Sequence, residues 1–148
     1  MYKALDLANY IVAKCAKDGY PITHLQLQKI LYFLQAYFLV NLNKPAFSDE
    51  IEAWKYGPVI RCVYNEYSCY GYSKIYEAFD CKLKFEQDED KEVADYAIEN
   101  LRRYTASELV EKSHIVGSPW YQIYYSKTEN YIPNELIKKY YGRDKKTV

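Results

Sequence analysis

Glycine is scarce: five residues are scattered along 148, and none of them builds the glycine-rich loop that wraps a phosphate. Histidine is scarcer still. His24 and His114 are the only two, and no H-E-x-x-H pair marks a metallohydrolase. The four cysteines, Cys15, Cys62, Cys69 and Cys81, contain no C-x-x-C pair, so their spacing gives no support for a metal site. On a helix Cys62 and Cys69 would share a face, yet two turns would hold them about 10 Å apart, too far to bridge. Charge of one sign is not in excess, with 20 basic and 20 acidic residues. That balance points to neither a nucleic-acid nor a membrane partner. The opening stretch MYKALDLANYIVAKC is amphipathic and lacks the apolar core of a signal peptide. The cytoplasm, with free thiols, is therefore the expected compartment, and neither a structural metal nor a cofactor is expected.

Aromatic residues are abundant instead, with 19 tyrosines. Biased codon usage would produce this, and so would an aromatic binding surface, because tyrosine adds contact area at little entropic cost. Apolar residues make up 49% of the chain and charged residues 27%, a globular composition for one domain of this length.

Helical spacing dominates the chain. Leu5, Ala8, Ile11, Val12 and Cys15 form one stripe from Ala4 to about Lys17, stopped by Gly19 and Pro21. Thr23 is a candidate cap for the next helix. In it Leu27, Ile30, Leu31, Leu34 and Phe38 form a stripe that Leu25, Phe33 and Tyr37 widen almost to the full circumference, which predicts a buried central helix. Gln26, Gln28, Lys29 and Gln35 interrupt it too often for a membrane span. Residues 51–56 alternate in a way that fits a brief strand, and with it a minor β-hairpin, or an extended approach to a turn. Pro58 suits the first turn of a following helix. Residues 73–87 alternate in part and leave room for one or two short strands. The acidic run EQDEDKEVAD opens a helix through about Tyr104, its carboxylates solvated and opposing the helix dipole. Thr105 and Glu108 have capping-box spacing, Ser118 caps a helix with Pro119 at its first position, and IPNELIKKYYG forms the last helix. The expected architecture is mainly α, a single compact domain over residues 1–142 with about six to seven helices around the second. A basic, loose tail follows at 143–148.

Catalytic chemistry finds no foothold in this pattern. His24 reads as a capping or surface residue, and His114, six residues before Trp120, as a fastener of a turn. A groove-reading helix must be basic, whereas LQLQKILYFLQAYF carries one lysine.

Three stretches stand out together: LQLQKILYFLQAYFL, IEAWKYGPVIRCVY and SHIVGSPW. In this order and spacing the chain resembles the Panacea domain family, which includes SocA-like antitoxins and GepA-like phage-associated proteins. The likeness runs from LANYIV to ELIKKYY. It implies a mostly helical, non-enzymatic protein of bacteria, phages and prophages that binds and neutralises a cognate toxin. One type of member instead acts as an adaptor that hands its toxin to a cytoplasmic protease; a transcription regulator or an uncharacterised enzyme are the remaining alternatives. The matching motif positions are Gln28, Lys29, Tyr32, Trp54, Gly57, Pro58, His114, Pro119 and Trp120. Charged residues are frequent in the family just after the histidine, where Ile115 and Val116 stand here. Gly57 is expected to supply a backbone shape that other residues dislike. Trp54 is expected to pack the turn onto the central helix. Lys55, Tyr56, Tyr124 and Tyr125 are the residues expected to meet a partner.

Overall fold

The computed structural model describes residues 1–77 and 81–143. Its first helix, α1 (Ala4–Lys17), buries Leu7, Ala8, Ile11, Val12 and Cys15. Gly19, at φ +83°, turns the chain away after it. The second helix, α2 (His24–Asn41), opens on a complete capping box: the Thr23 hydroxyl accepts from the Gln26 N–H, and the Gln26 side chain accepts from the Thr23 N–H. Every residue from Leu27 to Leu39 is buried. This helix packs against α1, α3 (Arg61–Tyr67), α4 (Asp88–Leu101), α5 (Ala106–Ser113) and α7 (Asn134–Gly142), and against strand β2 (Gly57–Val59). It is the axis of a mainly α domain, as the apolar circumference predicts.

The polar residues that interrupt its apolar face are ties to passing loops. The Gln28 amide accepts from the Ile60 N–H at 2.9 Å and donates to the Ile60 carbonyl at 3.3 Å. Seven residues on, Gln35 accepts from the Ala46 N–H at 2.7 Å and donates to the Phe47 carbonyl at 3.0 Å. Gln26 donates to the Tyr104 carbonyl at 2.9 Å. A buried amide is stable only when it is hydrogen-bonded, so Gln28 and Gln35 each fix the loop that satisfies them. Tyr32, also fully buried, meets α7: its hydroxyl is 3.2 Å from that of Tyr141.

Strands β1 (Glu52–Trp54) and β2 pair antiparallel, with Glu52 opposite Val59 and Trp54 opposite Gly57. Pro58 therefore lies in a strand, not in the first turn of a helix. The Gln28 clamp keeps Ile60 extended, and α3 begins at Arg61. A single 3₁₀ turn, Ser68–Tyr70, follows α3. Residues 73–87 form no strand among those described; Ile75 makes one isolated bridge to Ile22. Residues 78–80, and 144–148 of the expected tail, lie outside the described residues.

Two further expectations need correction in the acidic helix. It ends at Leu101 rather than Tyr104. Its first turn is not wholly solvated either: Asp90 is buried, accepts from the Tyr2 hydroxyl at 2.6 Å and pairs with Lys44 at 2.8 Å. Helix α6 (Pro119–Ser126) starts as expected, with the Ser118 hydroxyl accepting from the Tyr121 N–H.

Candidate partner-binding surface

The hairpin is built on a buried amine. Lys29, on α2, is fully buried and donates to the Pro58 carbonyl at 3.0 Å. Burial pulls its ammonium down to about 7, because an apolar surrounding disfavours the charged form. Gly57 lies directly over the lysine stem at φ +115°; a β-carbon there would stand 2.5 Å from Lys29 Cε. Glycine is required twice at this position, by the left-handed backbone and by the missing space.

A second clamp comes from α6. The Trp120 indole N–H donates to the Trp54 carbonyl at 2.7 Å. Trp120 is itself the middle of a stack. His114 lies parallel to it at 3.6 Å and 1°, and Tyr124 covers the other face at 4.7 Å and 15°. Tyr125 meets Trp120 edge-on at 6.1 Å and Tyr124 at 5.2 Å. His114 also terminates α5. Its Nε2 is buried without a hydrogen-bond partner. Burial and the nearby Lys29 charge lower its pKa, with a hydrogen bond to the Tyr56 backbone working the other way.

The ring and the cation that meet the Trp54 side chain come from α3. The Trp54 ring lies 4.9 Å from Tyr64, under the Arg61 guanidinium at 5.2 Å. Arg61 reaches back to Glu52 through two bonds, at 3.0 and 2.8 Å, and the Trp54 indole donates to the same carboxylate at 3.0 Å. Arg61 first, against the opposing effect of burial, and then the Trp54 indole and the Asn130 amide hold the Glu52 carboxyl below its ordinary range. Neither Glu52 nor Arg61 stands out in the sequence, because the spacing between them has meaning only once the hairpin folds.

Between the two clamps the tip is open to solvent. Tyr56 is 63% exposed, and the Lys55 amine sits 5.5 Å from the centre of its ring. Tyr125 is 57% exposed, whereas Tyr124 is half-buried in the stack. Ile115 and Val116, after the stacked histidine, are exposed as well. Among the described residues, no group of three or more His, Cys, Asp or Glu stands together to hold a metal, and no helix is long and apolar enough to cross a membrane.

A model of the family "Antitoxin SocA-like, Panacea domain" matches residues 27–121. The chain belongs to that family. It is 34% identical over 124 residues to Antitoxin SocA of Caulobacter vibrioides (strain NA1000 / CB15N). The match covers 77% of this chain and 66% of the relative, so the chain spans just under two thirds of that relative's length. No solved structure matches it. The Panacea match takes in Lys29, the hairpin, His114 and Trp120, and with them Lys55 and Tyr56; Tyr124 and Tyr125 fall beyond its end.

Proposed function

We propose that this chain is an antitoxin that neutralises a cognate toxin by direct binding, with the hairpin tip at the centre of the contact. The observation that carries this reading is Tyr56: a large ring, mostly exposed, on a backbone locked from beneath by Lys29 and from the side by Trp120. A side chain presented this way loses little freedom on binding, and a few such aromatic anchors dominate most interfaces. Tyr125 and the edge of Tyr124, which pack on the Trp120 that holds Trp54, are further rings for the partner to meet, and Lys55 adds an amphipathic arm. The reading is one of binding, not catalysis, in the cytoplasm. The equal numbers of acidic and basic residues argue against association driven by a strong field, so affinity should fall only modestly with salt.

Co-expression with the toxin encoded beside this chain's gene tests the proposal by growth. Tyr56→Ala is expected to weaken neutralisation by about 2 kcal/mol of binding. Lys55→Ala should weaken it less, and neither should move the thermal melt. Full rescue of growth by both variants would remove the tip from the interface. Toxin that persists while growth recovers supports occlusion; toxin that disappears replaces occlusion with hand-off to a cytoplasmic protease.

A further inference from the structure

A basic cavity lies at the opposite kind of surface, where helices begin. Its volume is 370 Å³, and its walls include Tyr20, Thr23, Lys74, Arg102, Arg103 and Thr105. None of its lining residues belongs to the hairpin or to α6. Three cations therefore share one cavity. Arg102 is neutralised by Asp18 at 2.7 Å and lies over the Tyr20 ring at 4.5 Å. Lys74 and Arg103 have no acidic partner among the described residues; Arg103 rests instead on the Tyr104 ring at 5.3 Å. The nearby Glu108 carboxylate is already engaged by the Thr105 N–H at 2.9 Å. Thr23 and Thr105 cap α2 and α5, so the positive ends of two helix dipoles border the same space. The Gln26–Tyr104 bond holds those two helix starts together. With Arg102 balanced by Asp18, Lys74 and Arg103 are left as like charges that repel one another, and a bound anion relieves that repulsion.

We propose that this cavity binds a small organic phosphate, a phosphomonoester no larger than a mononucleotide. Two unpaired cations match a dianion better than a carboxylate, and the Arg103 fork suits phosphate oxygens. The volume lies at the low end of the ~300–1,000 Å³ typical of ligand pockets and exceeds what a bare oxyanion fills. Tyr20, 52% exposed, offers ring surface to the body that the phosphate carries.

Isothermal titration at fixed ionic strength tests it, with adenosine monophosphate, inorganic phosphate and acetate as probes. Saturable binding of adenosine monophosphate is expected, tighter than that of inorganic phosphate, with acetate inert. Lys74→Ala and Arg103→Ala should each weaken it about tenfold. Both residues are exposed, and melts of the unliganded variants check the fold; Lys74→Gln and Arg103→Gln replace them if a melt falls. Absent saturable binding, equal binding of acetate, or affinity undiminished in the double variant would overturn the site. Equal affinity for the two phosphates would keep an oxyanion site and overturn the phosphomonoester.

Discussion

The Lys29 ammonium, fully buried beneath the hairpin, faces the Pro58 carbonyl at 3.0 Å and has no carboxylate beside it among the described residues. One acceptor for three N–H donors leaves the charge poorly compensated. The hairpin therefore rests on a group whose charge is unfavourable where it sits.

Stability should carry the signature of that group. Its pKa is about 7 in the folded chain against an ordinary 10.5, so above about pH 7 the unfolded chain holds the extra proton. Unfolding free energy then rises with pH, by at most about 1.4 kcal/mol per unit. The Cys15 and Cys62 thiols, pushed up to about 11 mainly by burial, oppose this trend from about pH 9, so the window is about 7 to 8.5. His24, lowered to about 4 by burial and the Lys29 charge, adds a separate rise between about pH 4 and 6.5. Urea midpoints across pH should show both; Lys29→Met should flatten the upper one and, because the Lys29 charge helps hold His24 down, shrink the lower one without abolishing it. Equal slopes in variant and parent between pH 7 and 8.5 would assign the effect elsewhere.

Gly57→Ala places a methyl group against the Lys29 stem, in a backbone region that side chains rarely adopt. A loss of about 2–4 kcal/mol is expected. In a Lys29→Ala background the closest clash disappears and only the 3.1 Å approach to Ser113 Oγ remains, so the double variant should cost less than the sum of the singles. Denaturant midpoints of the four proteins close the cycle. Strict additivity would mean that the two residues do not collide.

Trp120→Phe removes the indole donor and leaves the Trp54 carbonyl without its partner. About 1–3 kcal/mol of stability should be lost. The hairpin should also loosen, seen as faster amide exchange at Lys55 and Tyr56. Protection unchanged at both amides would show that the Lys29 clamp alone holds the tip.

Leu31→Ala and Leu34→Ala, in the fully buried stretch of α2, should each cost about 2–5 kcal/mol. A thermal melt unaffected by either would contradict the central position of this helix.

Much of the architecture was legible because its signals are local. The caps at Thr23, Thr105 and Ser118 each act within three residues, and all three form as their spacing predicts. The apolar circumference of α2 required no partner to be recognised. Pro58 is ambiguous in the sequence because its fixed φ suits a strand as well as a first helical turn, and the choice is made by Gln28, about thirty residues away in sequence. Asp90 looks solvated in the sequence because its burial depends on Tyr2, 88 residues distant. For the candidate surface, the sequence marks Lys55 and Tyr56 as a surface tip and His114 and Trp120 as motif positions, but it gives no sign that the two rings stack. Lys29 is visible as a break in an apolar stripe and as a motif position, but its place beneath the hairpin is not. The Glu52–Arg61 pair was not visible at all, because a turn must first bring its members together.

The hairpin has no free edge. Along β1 the Ala53 N–H donates to the Asn130 carbonyl at 2.8 Å, the Ile51 carbonyl accepts from the Ile132 N–H at 2.7 Å, and Trp120 occupies the Trp54 carbonyl. Along β2 the Pro58 nitrogen carries no hydrogen, its carbonyl is held by Lys29, and Gln28 takes both polar groups of Ile60. A visiting chain finds no ladder here to extend, so strand addition is closed as a mode of recognition. Any partner docking at this end of the molecule must be recognised by side chains, and its specificity can drift by replacing rings at the tip while the backbone beneath stays as it is.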